Sequence, residues 1–162
     1  MRHLILISAA LAMVACADEH GITGTAGGNT APTAPAATRA MIGFVELDGG
    51  AIALRVDQTR IPLAGMDAEP LRNLGGAEVE VRGSDDVVGA FNVIAFTVLS
   101  VDGRAAADGI LQLVDDGYTL RLNDGSYRAV IDPPEELKAL VSHRVWVAGP
   151  PDASPEAFGL IM

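Results

Sequence analysis

A single cysteine, Cys16, occurs in the chain. That excludes an intramolecular disulfide and any zinc site built on several thiolates. Histidine is also scarce, and His3, His20 and His143 lie too far apart to form a local metal motif. Aromatic residues make up 4% of the chain, and 11 basic residues face 21 acidic ones. So few Lys and Arg cannot supply the clustered cations that hold phosphates, and no nucleic acid partner is expected. The small ring count also tells against a platform of several stacking aromatics. No G-x-S-x-G elbow and no Lys-bearing glycine loop is present. Ser142 adjoins His143, but neighbours on a strand point to opposite faces, which does not suit a nucleophile and its base. The expectation is a non-enzyme with no metal and no cofactor. A hydrolase built on His143 and nearby carboxylates ranks third among the readings. What the chain does have is apolar residues, 49% of the total, enough for a packed core.

Arg2 and His3 form a short basic start, Leu4 to Val14 is apolar apart from Ser8, and small Ala15 precedes Cys16. An apolar run of about eleven residues is too short to cross the roughly 30 Å hydrocarbon layer. It fits the core of a secretory signal peptide. The segment Met13-Val14-Ala15-Cys16 resembles the lipobox of bacterial lipoproteins, with Met where Leu is commoner. The resemblance implies that residues 1–15 are removed and that Cys16 becomes a lipidated first residue. Ala17, rather than the Asp that retains such proteins at the inner membrane, implies an outer membrane lipoprotein of the cell envelope, on its periplasmic face. Loss of residues 1–15 takes Arg2 with it and leaves 10 basic against 21 acidic side chains. The lipid, not charge, is then the membrane anchor.

Residues 16–38 are therefore read as lipidated Cys16 and a flexible linker of Ala, Gly, Thr and Pro, unable to bury enough surface to order itself. The rest contains an internal repeat. A shift of 66 residues lays Gly43–Gly83 over Gly109–Gly149 without a gap, with ten identities in 41 positions. They are Gly43/Gly109, Leu47/Leu113, Leu54/Leu120, Arg55/Arg121, Glu69/Glu135, Leu71/Leu137, Leu74/Leu140, Val79/Val145, Val81/Val147 and Gly83/Gly149. Each unit reads as three strands separated by Asp- and Gly-bearing turns, a short helix, and two further strands. The first unit has strands over Met41–Leu47, Ala51–Val56, Ile61–Ala64, Ala77–Arg82 and Phe91–Ser100. The second has Gly109–Val114, Tyr118–Leu122, Tyr127–Ile131, His143–Ala148 and Phe158–Met162. Asp67 and Asp132 are expected to cap the two helices, with Pro133 in a first turn.

This element order resembles the OB-fold, a five-stranded, partly open barrel with a helix between strands three and four. It implies a mainly β chain of two tandem OB-like barrels, residues 39–102 and 103–162, each with that short helix. A pair of small antiparallel sandwiches shows similar alternation. Domains near 60 residues are marginal alone, so the two units are expected to pack together.

Trp146 is the side chain of greatest interest. It shares a face with Arg144, and the matching residues of the first unit are Glu78 and Glu80, so that face is expected to meet solvent. There Trp146 offers a stacking surface for a sugar, a base or a partner's side chain; the alternative is that it packs into the seam between units. A groove around Trp146, Tyr118 and Tyr127 is one expectation, and a pair of equivalent anion sites at Arg55 and Arg121 is another. The acidic pairs Asp85-Asp86, Asp115-Asp116 and Glu135-Glu136 read as solvated turn and helix-start residues. The functional expectation is a non-catalytic ligand-binding lipoprotein taking an envelope glycan, a peptide or a small molecule. The alternative is a structural lipoprotein docking onto a larger envelope protein complex.

Overall fold

A computed structural model describes residues 37–162. The signal segment, Cys16, Ala17, His20 and nearly all of the linker lie outside the described residues. Strands occupy 56% of the described residues and helix 10%, so the architecture is mainly β. All described residues belong to one compact unit. No helix among them is long and apolar enough to cross a membrane.

Ten strands form one continuous sheet. The first five are β1 (Arg39–Asp48), β2 (Ala51–Val56), β3 (Thr59–Ala64), β4 (Glu78–Asp85) and β5 (Phe91–Val101). They close into a ring: β1 pairs with β2 and β4, β2 with β3, β5 with β4, and a short parallel ladder, Leu63 opposite Phe91 and Ala64 opposite Asn92, joins β3 to β5. The second five are β6 (Arg104–Val114), β7 (Gly117–Leu122), β8 (Tyr127–Val130), β9 (Arg144–Ala148) and β10 (Ala157–Leu160). Their order around β6 is the same, β8-β7-β6-β9-β10, but no ladder joins β8 to β10. The expectation of two barrels therefore yields one closed ring and one open curl. In the curl the guanidinium of Arg128 on β8 reaches across, its Nη2 donating to Gly149 O at 3.0 Å.

The halves meet in a hairpin, not a linker. Asp102 and Gly103, with φ of 51° and 75°, form the two-residue turn between β5 and β6, and two left-handed residues suit the right-handed twist of the strands they connect.

Alternation set the core. Val45, Leu54, Leu71, Val79, Val81 and Phe91 fill the ring, and Leu111, Leu120, Leu137, Val145 and Val147 fill the curl. Positions matched by the 66-residue shift have matching burial: Leu54 and Leu120, Leu71 and Leu137, Val79 and Val145 are all at 0% exposure. Gly43 and Gly109 share a tighter constraint. A Cβ on Gly43 would lie 2.4 Å from Arg55 O, and one on Gly109 would lie 2.3 Å from Arg121 O. The ungapped register fails at one place: Arg55 faces Arg60 whereas Arg121 faces Tyr127, because the β7–β8 turn is one residue longer.

The helices depart from expectation at their starts. The first is a 3-10 segment, Met66–Leu74, entered from Gly65 and containing Pro70, and no side chain caps it. A proline cannot supply the N–H that an α-helical ladder needs there. Helix α1 (Glu135–Lys138) begins after Pro134, also without a side-chain cap. Pro134 holds Pro133 in extended backbone, so the helix starts three residues after Asp132, which cannot serve as its cap.

Candidate functional site

Asp108 is the one buried charged residue among those described, at 1% exposure. It sits in the middle of β6, opposite Trp146 of β9, and its carboxylate is nearly saturated. Oδ1 accepts the Val98 N–H at 2.7 Å, across the seam from β5. Oδ2 accepts Arg144 Nε at 2.8 Å and Arg144 Nη2 at 2.5 Å. Asn123 Nδ2 lies 3.5 Å from the same oxygen. Arg144 Nη2 and Asn123 Nδ2 also donate to Phe96 O, at 2.7 and 3.1 Å. The Arg144 guanidinium lies 4.1 Å from the centre of the Phe96 ring. One arginine thus engages a carboxylate, a carbonyl and an aromatic face, a combination its planar fork allows and an ammonium does not. Every partner joins the second half to β5 of the first.

Above this network lies a cleft of about 380 Å³. Glu80 and Arg82 of β4, Thr97 and Leu99 of β5, Ala106 of β6, and Asn123 and Asp124 of the β7–β8 turn line it. A further hollow of about 210 Å³ along Ala95 and Phe96 shares several of these walls. Arg82 Nε donates to Glu80 at 2.8 Å, so the cleft offers both signs of charge side by side. Asp124 accepts the Ser126 hydroxyl at 2.6 Å and the Ser126 N–H at 2.8 Å. The hydroxyl bond first, then the backbone bond, holds the Asp124 carboxyl below its ordinary value. The turn therefore presents a stable anion at the cleft mouth. Such an arrangement can orient a small zwitterionic or hydrogen-bonding ligand over apolar walls.

The residues singled out from sequence are not gathered in one groove. Trp146 is turned to the seam, half-buried against the first core, which Ile161 also enters. Its ring lies so close over Gly159 that a Cβ there would come within 2.6 Å of the indole nitrogen. Arg144 is committed to Asp108. The face expected to meet solvent is thus the face that docks the two halves. Tyr118 lines a separate depression of about 350 Å³ with Val130, Ile131, Pro133 and Lys138. Tyr127 is exposed, facing Arg121 across β7 and β8. Arg55 is bound to Glu46 at 2.7 Å and lies 5.1 Å over the Phe44 ring. Arg121 stands opposite Ile110 and, among the described residues, makes no ion pair, so the two arginines are not equivalent. Residue 112, the match of Glu46, is Gln.

Sequence reasoning passed over Asp108, Asn123, Glu80 and Arg82. Asp108 carried a signal: an aspartate in the apolar strand run Ala105-Ala106-Ala107-Asp108-Gly109-Ile110-Leu111 needs a partner. His143 is exposed, with Nδ1 3.2 Å from Val141 O. Among the described residues no cluster of His, Cys, Asp and Glu is arranged to hold a metal ion. Comparison with family models, with curated proteins and with solved structures finds no match for the chain.

Proposed function

We propose that this chain is a lipid-anchored, non-catalytic binding module of the bacterial cell envelope, built from two OB-like halves. The cleft between the halves takes a small polar ligand. One observation carries the binding reading: the cleft is walled by both halves, with Arg82, Glu80, Asn123 and Asp124 converging over the buried Asp108–Arg144 pair. Ligand sites favour such junctions between packed units. The OB-like reading is supported by the ring order β1-β2-β3-β5-β4, by the recurrence of that order in the second five strands, and by the matched glycines at Gly43 and Gly109. The anchoring reading rests on the Met13–Cys16 segment and on the linker composition. A second reading, docking onto a larger envelope complex, is favoured by the exposed Leu113, Val114 and Ile131 near one end of the curl.

Native mass spectrometry of the full-length protein, extracted from its own membranes in mild detergent, tests both. A diacylglycerol mass on Cys16 with a small adduct that disappears in Arg82→Ala supports the module. A stoichiometric protein partner, with no small adduct, favours docking. A mature chain without lipid on Cys16 overturns the anchoring.

A further inference from the structure

The β4–β5 hairpin ends in Asp86-Val87-Val88-Gly89, and the turn is firmly held. Asp86 N–H donates to Ala90 O at 2.7 Å, Gly89 N–H to Asp86 O at 3.1 Å, and Val87 N–H to the Asp86 carboxylate at 2.6 Å. At its tip Val87 is 100% exposed and Val88 79%. Turn centres usually carry Gly, Asn, Asp, Ser or Pro, and stiff β-branched valines gain nothing locally there. Neither valine contributes to either core. The pair therefore leaves a held apolar tip free to meet another surface.

The path of the chain indicates what it contacts. β1 runs antiparallel to β4, with Arg39 opposite Gly83. Arg39 Nη2 is 2.6 Å from Asp85 Oδ1, and its guanidinium lies 5.3 Å over the Phe91 ring. Residues 37 and 38 therefore enter β1 alongside the base of the valine hairpin. Read as a Gly-rich coil, residues 17–38 span roughly 25 Å r.m.s.. Resting on the lipid-anchor reading above, we infer that Val87 and Val88 are a wedge that enters the bilayer interface beside the tether. Two valines are too little to hold a protein on a membrane, since even one acyl chain anchors only marginally. The tether supplies the missing local concentration. Asp85 and Asp86 at the base make zwitterionic headgroups the preferred surface, and anionic lipid opposes the contact. Glu80 of the cleft stands roughly 16 Å along β4 from Asp85 at strand rise, so the cleft stays in water while the tip is immersed.

The test uses the chain from residue 16 onward with a hexahistidine tag in place of Cys16, held on nickel-chelating phosphatidylcholine vesicles. That tether works whether or not Cys16 is lipidated in the cell. A nitrobenzoxadiazole label is placed on Val88→Cys, and separately on Arg104→Cys, the first residue of β6, opposite Val101 at the far end of β5. The expected result is a blue shift at position 88 with loss of emission on adding doxyl-labelled lipid. Position 104 stays unchanged, and the shift at 88 shrinks as phosphatidylglycerol is added. A label at 88 that remains as wet as the one at 104 overturns the inference, and the tip is then left for a protein partner. The mass on Cys16 in native membranes judges the anchor separately.

Discussion

Asp108 has a backbone N–H on one oxygen and an arginine fork on the other, and this makes the pair costly to split. Arg144→Ala leaves a carboxylate buried without its countercharge, and a loss of about 3–5 kcal/mol is expected in urea unfolding. Arg144→Lys restores only part, because an ammonium lacks the fork that reaches both Asp108 and Phe96 O. The double replacement Asp108→Leu with Arg144→Met is expected to be far milder than Arg144→Ala alone. Equal losses for the two would show that charge desolvation is not the dominant cost. At the cleft mouth, the depressed Asp124 carboxyl has a definite sign. Its bonds to Ser126 add stability above the ordinary carboxylate range, and that stability is lost as pH falls through the lower folded value. Carboxyl NMR should show Asp124 titrating below the ordinary value in the native chain and closer to it, but still below, in Ser126→Ala, which loses the hydroxyl bond and keeps the backbone one. Identical titration curves would contradict the hydrogen-bond account. Alternation was enough to show that Arg144 and Trp146 share a face. It could not show what that face meets, because the covering residues, Phe96 and Val98, lie on a strand about fifty residues away.

Among the elements, strands were legible and helix starts were not. Period-two apolar spacing found all ten strands, Ala51–Val56 at the same bounds, but it started the sixth at Gly109, five residues late, and so left Asp108 outside it. Cap residues misled for two reasons: the first helix is entered from Gly65 with Asp67 already inside it, and Pro134 sets the start of α1 beyond the reach of Asp132. The glycines give the sharpest element-level test. In Gly109→Ala the new methyl meets the carbonyl of Arg121, a backbone atom with little freedom to move. Crowding of this kind costs about 1–3 kcal/mol, and Gly43→Ala should behave alike. Gly117, by contrast, has a negative φ and only Val114 O at 3.5 Å from its would-be Cβ. Gly117→Ala should be neutral or stabilising by up to about 1 kcal/mol, through the unfolded chain. Thermal melts of the three variants separate the two outcomes, and equal losses in all three would sink the close-approach argument.

At the scale of the whole molecule, the two halves share more than a turn. Ile161, beyond the last strand of the second half, is 4% exposed within the core of the first, and Trp146 packs against the same cluster. Ile161 N–H is also bonded to Arg144 O at 2.8 Å, which couples the chain end to the strand that holds Asp108. The matches at a spacing of 66 residues were visible in sequence, but this interlock was not, because it falls where the two halves differ. Position 146 is Trp where the first half has Glu80, and position 108 is Asp where the first half has Ile42. The open edge between β8 and β10 leaves the second half less able to stand alone than the closed ring, so the ring should lend it stability through these contacts. Unfolding is therefore expected to be a single transition in which Trp146 fluorescence and far-ultraviolet circular dichroism coincide. Ile161→Ala should lower the stability of both halves together by about 2–5 kcal/mol, the range for truncating a buried isoleucine. Hydrogen exchange locates that loss: amides of β2 and β7, on opposite sides of the seam, should speed up by similar factors. If β7 exchanges faster while β2 is unaffected, the halves fold independently, and the seam cleft joins two separate domains.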